Sequence, residues 1–162
     1  MAVDAITIGA GTLVLGEEGS LTNFESQVTA CRLVPSVENG DPINVLSGEQ
    51  APGDRSESFT LRGSLLQDFG RADGIDLTAW CFEHRGETMP FTFTPSTSRG
   101  KSVTGQLTVE AIEIGGDVKT KPTSDFEWSL VGAPTIESPV APFANLKPPA
   151  DDLTTDETIV DL

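Results

Sequence analysis

Residues 57–69 read ESFTLRGSLLQDF, and the alternation within this stretch decides the fold class. Large apolar residues alternate with polar ones: Phe59, Leu61 and Leu65 fall on one side, and Ser58, Thr60, Arg62 and Ser64 on the other. A period of two with one apolar side is typical of an antiparallel strand that has one face on a core and one in water. The sequence therefore predicts an antiparallel sheet.

Comparable patterns predict further strands before and after this segment. They cover residues 27–38, the Phe-Thr alternation of residues 91–94, residues 103–114, and residues 126–131. Trp80 and Trp128 lie in phase with apolar neighbours and are predicted to be core residues. In residues 103–114 the apolar phase switches near Glu110, which predicts a bulge or a strand end buried on both faces. Residues 5–16, AITIGAGTLVLG, predict a hairpin or a bent strand.

One helix is predicted, over about residues 74–85. Asp73 can cap a helix that begins near Gly74, and Gly86 is a natural stop after it. Ile75, Ala79 and Phe82 would form the apolar stripe, which Leu77, Trp80, Cys81 and His84 widen. Six or seven strands with one helix predict a β-sandwich or partly closed barrel, mainly β, with a single flanking α-helix.

Composition divides the chain into a body, residues 1–132, and an acidic, proline-rich extension, residues 133–162. The body contains a long loop, residues 38–56, whose middle carries Ile43, Val45 and Leu46. Loops of this length within a compact domain are usually functional or disordered. The extension is either a disordered tail or an extended arm that docks on a neighbouring subunit through Val140, Phe143 and Leu146.

The charge balance is strongly negative, at −15 for the whole chain. The extension holds six acids and one lysine, so the body carries −10. Such a balance opposes binding to nucleic-acid phosphates and docking on anionic membranes, because both require clustered cations. No basic leader and no apolar run of membrane-spanning length is present in the sequence, so we expect synthesis in a cytoplasm without a recognisable export signal.

No constellation of residues predicts catalysis, a cofactor or a metal site, and we expect that the protein is not an enzyme. The single histidine, His84, lies at the predicted helix end without an acidic partner at a fixed spacing. Cys31 and Cys81 match no metal-binding spacing and are predicted to be buried free thiols, with a disulfide as the alternative. The glycines of residues 9–16 lack the lysine and the following helix of a phosphate loop.

Five segments of the sequence, taken in their order and spacing, carry a resemblance to a known family. They are FTLRGSLLQDFG (59–70), LTAWCFEHRG (77–86), MPFTFTP (89–95), VTGQLTVEAIEIGGDV (103–118) and SDFEWSLVGAP (124–134). Together they resemble the tail tube (major tail) proteins of long bacteriophage tails that do not contract. The resemblance covers roughly half of the chain and rests on order and spacing rather than on any single motif.

The resemblance implies a structural virion protein that forms stacked six-fold rings, and hence a hollow tail tube for genome passage. It implies that the protein contacts itself, tape-measure and tail-end proteins, that DNA passes without specific binding, and that the tube assembles in the host bacterial cytoplasm. Residues 38–56 would reach the next ring through Ile43, Val45 and Leu46. Glu25, Glu57 and Asp68 would add negative charge to the lumen, which would keep DNA from adhering.

Two other functions remain open at this point. One is another virion β-sandwich: a capsid decoration protein, a tail-end ring protein or a baseplate component. These would share the architecture, so the number of copies in each particle would distinguish them. The other is a free-standing binding module or hydrolase, for which the sequence offers no substrate or catalytic set.

Overall fold

The computed structural model describes residues 2–139, and these form nine strands and one helix. In chain order the elements are β1 (Thr12–Leu15), β2 (Thr22–Asn23), β3 (Val28–Asn39), β4 (Ile43–Asn44), β5 (Gln50–Ala51), β6 (Arg55–Leu66), α1 (Leu77–Glu83), β7 (Thr88–Thr94), β8 (Ser102–Thr108) and β9 (Thr123–Glu137). The predicted fold class, mainly β with one helix, is confirmed.

Seven strands form one antiparallel sheet in the order β2-β1-β7-β8-β9-β6-β3. Strand β9 joins its two halves: residues 123–129 pair with β6, and residues 130–137 pair with β8. The register between β8 and β9 shifts where Gln106 pairs with Val131 but Thr104 pairs with Thr135. A bulge of this kind bends a strand, and it lies just after the point, between Ser129 and Leu130, at which β9 changes its partner from β6 to β8.

The core lies between the two halves of the sheet. Leu13, Leu15, Phe91 and Phe93 come from one half, and Leu61, Leu65, Phe126 and Trp128 come from the other, and all belong to one buried cluster. The ring of Phe24 meets those of Trp80 and Trp128 edge to face, at centroid distances of 5.3 and 5.7 Å. The indole N–H of Trp128 donates to the Glu110 carbonyl at 3.1 Å. The core prediction for Trp128 is confirmed, and Trp80 is partly buried against the same cluster.

The helix begins later than predicted, and a different residue caps it. Asp76 is the N-cap, and its carboxylate accepts a hydrogen bond from the Ala79 N–H at 3.0 Å. Gly74 has φ +83°, a left-handed conformation that cannot start an α-helix, so the prediction of Asp73 as the cap was wrong. The stripe also differs, because Leu77 and Cys81 face the core whereas Ile75 and Phe82 are 50% and 38% exposed.

Four other predicted segments have different boundaries or structure. Only residues 12–15 of the predicted hairpin 5–16 form a strand, and β8 ends at Thr108, before the phase switch. Strand β9 continues to Glu137, past the predicted body boundary at residue 132, because residues 135–137 pair with β8. The predicted loop 38–56 is largely a β-hairpin, since β3 runs to Asn39, β6 starts at Arg55, and β4 and β5 pair between them.

Candidate assembly surfaces

A two-stranded arm projects from the sheet. Strands β3 and β6 pair continuously from Asn39–Arg55 inward, but β9 pairs with β6 only over residues 60–66. Residues 35–39 and 55–59 therefore have no other strand beside them in the part of the chain that the structure describes. The apolar side of the alternation continues outward as Pro35 and Val37, both exposed. The arm thus carries apolar surface beyond the core.

A hairpin, residues 40–54, forms the tip of this arm. Close backbone approach closes its base: the Gly40 N–H donates to the Asp54 carbonyl at 2.7 Å, and a Cβ on Gly53 would collide with the Gly40 carbonyl. The three predicted contact residues lie together here and are exposed: Ile43 by 63%, Val45 by 42% and Leu46 by 106%. Their contact with a neighbouring ring stays a prediction.

The ends of the sheet are open. Within residues 2–139, β3 pairs only with β6 and β2 pairs only with β1, so each leaves one edge without a strand. The open edge of β3 is long, because the strand has 12 residues. Exposed edge backbone favours pairing with another chain unless it is covered or charged.

A groove opens between the first and third strands, and no sequence pattern pointed to it. Its walls come from residues 8–13, 28–31 and 93–95 together with Glu25, and its volume is about 350 Å³. We call it the seam groove. Its apolar side chains are Ile8, Leu13, Val28, Cys31 and Phe93. Three distant segments build the groove, so only the tertiary fold reveals it.

The segment before β1 is extended and exposed. Val3, Ile6 and Ile8 are 95%, 51% and 60% exposed. Arg99 holds the segment through both oxygens of Asp4, at 2.6 and 3.1 Å, and this pairing holds the pKa of the Asp4 carboxyl below its usual range. Salt screens exposed ion pairs of this kind, so they contribute little to stability.

The acids that were predicted to face a lumen have different surroundings. Glu25 is exposed beside the seam groove, and Glu57 lies on the arm, where Arg55 donates to it at 2.9 Å. Asp68 is only partly exposed, and its carboxylate binds the start of α1. Helix capping therefore accounts for the position of Asp68. Whether Glu25, Glu57 and Asp68 face a lumen stays a prediction.

The other predicted side chains occupy structural positions or lie outside the described residues. Val140, Phe143 and Leu146 lie outside residues 2–139. The ring of His84 stacks on Trp80 at a centroid distance of 4.4 Å, and its Nδ1 lies 2.9 Å from the Trp80 carbonyl oxygen. Among the described residues, no cluster of three or more His, Cys, Asp or Glu side chains is placed to hold a metal ion.

Both cysteines are free thiols, as predicted, and they differ in exposure. Cys81 is fully buried, and Cys31 is half-buried. Burial raises the pKa of each thiol to about 12, and the nearby charge of Asp68 acts in the same direction on Cys81. The thiolate is the reactive form, so neither cysteine is activated. No helix in residues 2–139 has the length and apolar character needed to cross a bilayer.

The described residues thus form an open-edged antiparallel sheet with a projecting arm whose tip is apolar and exposed. No family model and no curated protein matches the chain. Its fold is similar to a chain in the virion of a native gene transfer agent particle, at 18% identity and a TM-score of 0.53. It is also similar to a chain in the tail of an empty gene transfer agent particle refined with C6 symmetry, at 18% identity and a TM-score of 0.56. Both likenesses cover 78% of this chain and 95% of the other.

Proposed function

We propose that this protein is a structural subunit of a phage-like tail tube. Copies join side by side into six-fold rings, and the rings stack into a hollow conduit for the genome. The observation that carries the proposal is the combination of open sheet edges and a projecting arm. The fold likeness to a chain from a tail with C6 symmetry gives the expected ring size.

Side-by-side joining follows from the unpaired sheet edges. The outer edge of β3 presents N–H and C=O groups along 12 residues, and other copies of the chain can supply hydrogen-bond partners for them. Such a contact uses two different surfaces and closes into a ring when the rotation between copies closes. Ring closure then removes the exposed edges.

Stacking follows from the arm. The side chains of Ile43, Val45 and Leu46 expose apolar surface at the tip of the arm, away from the core. Burying this surface against a second ring would remove it from water. Glu25, Glu57 and Asp68 are the candidates for lumen charge. The net charge of −15 suits a conduit through which DNA passes without specific binding.

The proposal assigns the chain no catalytic role and no cofactor. Its partners are other copies of itself, with tape-measure and tail-end proteins at the boundaries of the tube. Its location is the virion tail, after assembly in the cytoplasm of a host bacterium.

Negative-stain electron microscopy of the purified protein at rising concentration tests the proposal, with light scattering alongside. We expect six-fold rings at low concentration and tubes at high concentration. A protein that stays monomeric throughout would contradict the proposal. A decoration or end-ring role would instead give a low or fixed copy number in each particle and no growing tubes.

A further inference from the structure

The seam groove and the arm tip lie at opposite ends of β3. Val28, at the start of the strand, lines the groove, and Asn39, at its end, adjoins the tip. Twelve residues at roughly 3.3 Å each separate the two surfaces by about 40 Å. The tip of one chain therefore cannot enter the groove of the same chain, whereas the tip of a second copy can.

The two surfaces match in character. The tip exposes the aliphatic side chains of Ile43, Val45 and Leu46, and the groove offers an open space of about 350 Å³ whose lining is partly apolar. Burial of aliphatic side chains in such a space is favourable because it removes apolar surface from water.

The tip is acidic and the turn beside the groove is basic, although Asp4 and Glu25 offset most of that positive charge. The tip, residues 40–54, carries Asp41, Glu49 and Asp54 and no cation. The turn beside the groove, residues 95–101, carries Arg99 and Lys101 and no acid. This turn borders the groove because the Thr97 N–H donates to the carbonyl of Ala10 in the groove wall, at 3.0 Å. Arg99 is bound to Asp4, and Glu25 opposes the match, so Lys101 is the main cation.

We propose that the seam groove is the receptor for the arm tip of a second copy in the adjacent ring. This inference rests on the proposed function and adds the receiving surface to it. The contact is head to tail, so each ring keeps one unused tip face and one unused groove face, and stacking continues without limit. It also places Glu25 at a junction between rings.

Two single-surface variants and their mixture test the pairing. Ile43→Asp combined with Val45→Asp disables the tip, and Thr29→Trp covers the mouth of the groove from an exposed position. The matched control is Thr120→Trp, because Thr120 is also exposed and its hydroxyl also donates to a backbone carbonyl. Circular dichroism and thermal unfolding confirm that each variant folds.

The head-to-tail arrangement gives a distinctive result in electron microscopy. Each disabled variant alone should give single rings, with complete loss of stacks. An equal mixture of preformed rings of the two variants should give pairs of rings and nothing longer, because one working tip face meets one working groove face. The Thr120→Trp control should stack like the wild type. Stacks of normal length from Thr29→Trp, or a mixture without pairs, would overturn the proposal while leaving ring formation, and hence the proposed function, intact.

Modification of Cys31 by a small neutral disulfide reagent gives a second measurement. Stacked wild-type rings should protect Cys31 severalfold relative to single rings of the tip variant, because the thiol lines the groove. Equal rates would count against the pairing. Removal of residues 140–162 from the unassembled chain should leave the rate unchanged. A faster rate would show that this segment fills the groove instead. Absence of rings from the wild type would defeat the proposed function itself.

Discussion

The carboxylate of Asp68 accepts two hydrogen bonds from Thr78, one from its backbone N–H at 3.1 Å and one from its hydroxyl at 3.0 Å. Thr78 is fully buried, and Asp68 lies two residues after Leu66, the last residue of β6. The same carboxylate accepts the Leu77 N–H at 3.0 Å. One side chain therefore fixes the start of the only helix in the described chain to the central sheet.

We expect Asp68→Ala to lower the free energy of unfolding by about 1–3 kcal/mol, since it leaves a buried hydroxyl and two N–H groups without their acceptor. Urea denaturation monitored by tryptophan fluorescence measures the change. Asp117→Ala, in an exposed turn, is the control and should change stability little. Equal stability of the two variants would contradict the anchoring role of Asp68.

The contribution of Asp76 to the free energy of unfolding should depend on pH. Burial opposes its ionisation, but N–H donors that include those of Ala79 and Gly70 hold the pKa of Asp76 below 3.8. A lowered carboxyl pKa gives stability that is present above the unfolded pKa and is lost as the pH falls through the folded one. We expect Asp76→Ala to destabilise by about 1 kcal/mol at neutral pH, with the difference from wild type shrinking below about pH 4.

Asp73→Ala is the comparison for this experiment, because Asp73 precedes the helix without capping it. Chemical denaturation of both variants at pH 7 and at pH 3 separates their effects. If Asp73→Ala destabilised as much as Asp76→Ala, the capping assignment would be incorrect.

The alternation of polar and apolar residues was enough to predict the strands that have one face on the core. Leu61, Leu65 and Trp128 were placed in the core because their neighbours alternate in polarity, and all three are fully buried. The helix boundary escaped prediction because it depends on distant residues. Two aspartates precede the helix, and the choice between them depends on Gly74 and on the contact from Asp68, which comes from another element.

The arm and the groove escaped prediction for a related reason. Residues 38–56 are rich in glycine, proline and acids, a composition typical of loops. Within them β4 and β5 pair because the paired strands β3 and β6 hold the two ends of the segment together. The groove needs residues 8–13, 28–31 and 93–95 to meet, and one sequence gives no information about that meeting.

The half-buried thiol of Cys31 should weaken the fold at alkaline pH. Its pKa rises from 9.0 to about 12 on folding because burial opposes the thiolate. The unfolded chain therefore loses this proton first, and stability that is fully present below pH 9 declines as the pH rises toward 12. We expect the Cys31→Ser variant to gain stability relative to wild type over this range. Unfolding in urea at pH 8 and pH 10.5 measures the difference, and a difference that does not change with pH would contradict the assignment.

The tip of the arm should control polymerisation without controlling folding. Ile43 and Val45 are 63% and 42% exposed, so Ile43→Asp with Val45→Asp removes no contact from the core. A charged side chain is costly to bury, so two aspartates at the tip oppose its burial against another ring. We expect this double variant to melt at nearly the same temperature as wild type and to form rings without tubes, as measured by calorimetry and negative-stain microscopy.

Ile114→Asp combined with Val118→Asp is the matched control, since these side chains are 42% and 87% exposed and lie outside the arm and the edge strands. It introduces the same kind of charge at a similar exposure, so it should leave tube length unchanged. Normal tubes from the tip variant would show that the arm does not make the contact between rings. Loss of tubes from both variants would indicate that added negative charge alone opposes assembly of this acidic chain. Raising the salt concentration separates a lost apolar contact from charge repulsion, because salt screens charges. Tubes that return at high salt would indicate repulsion, and tubes that stay absent would indicate the lost contact.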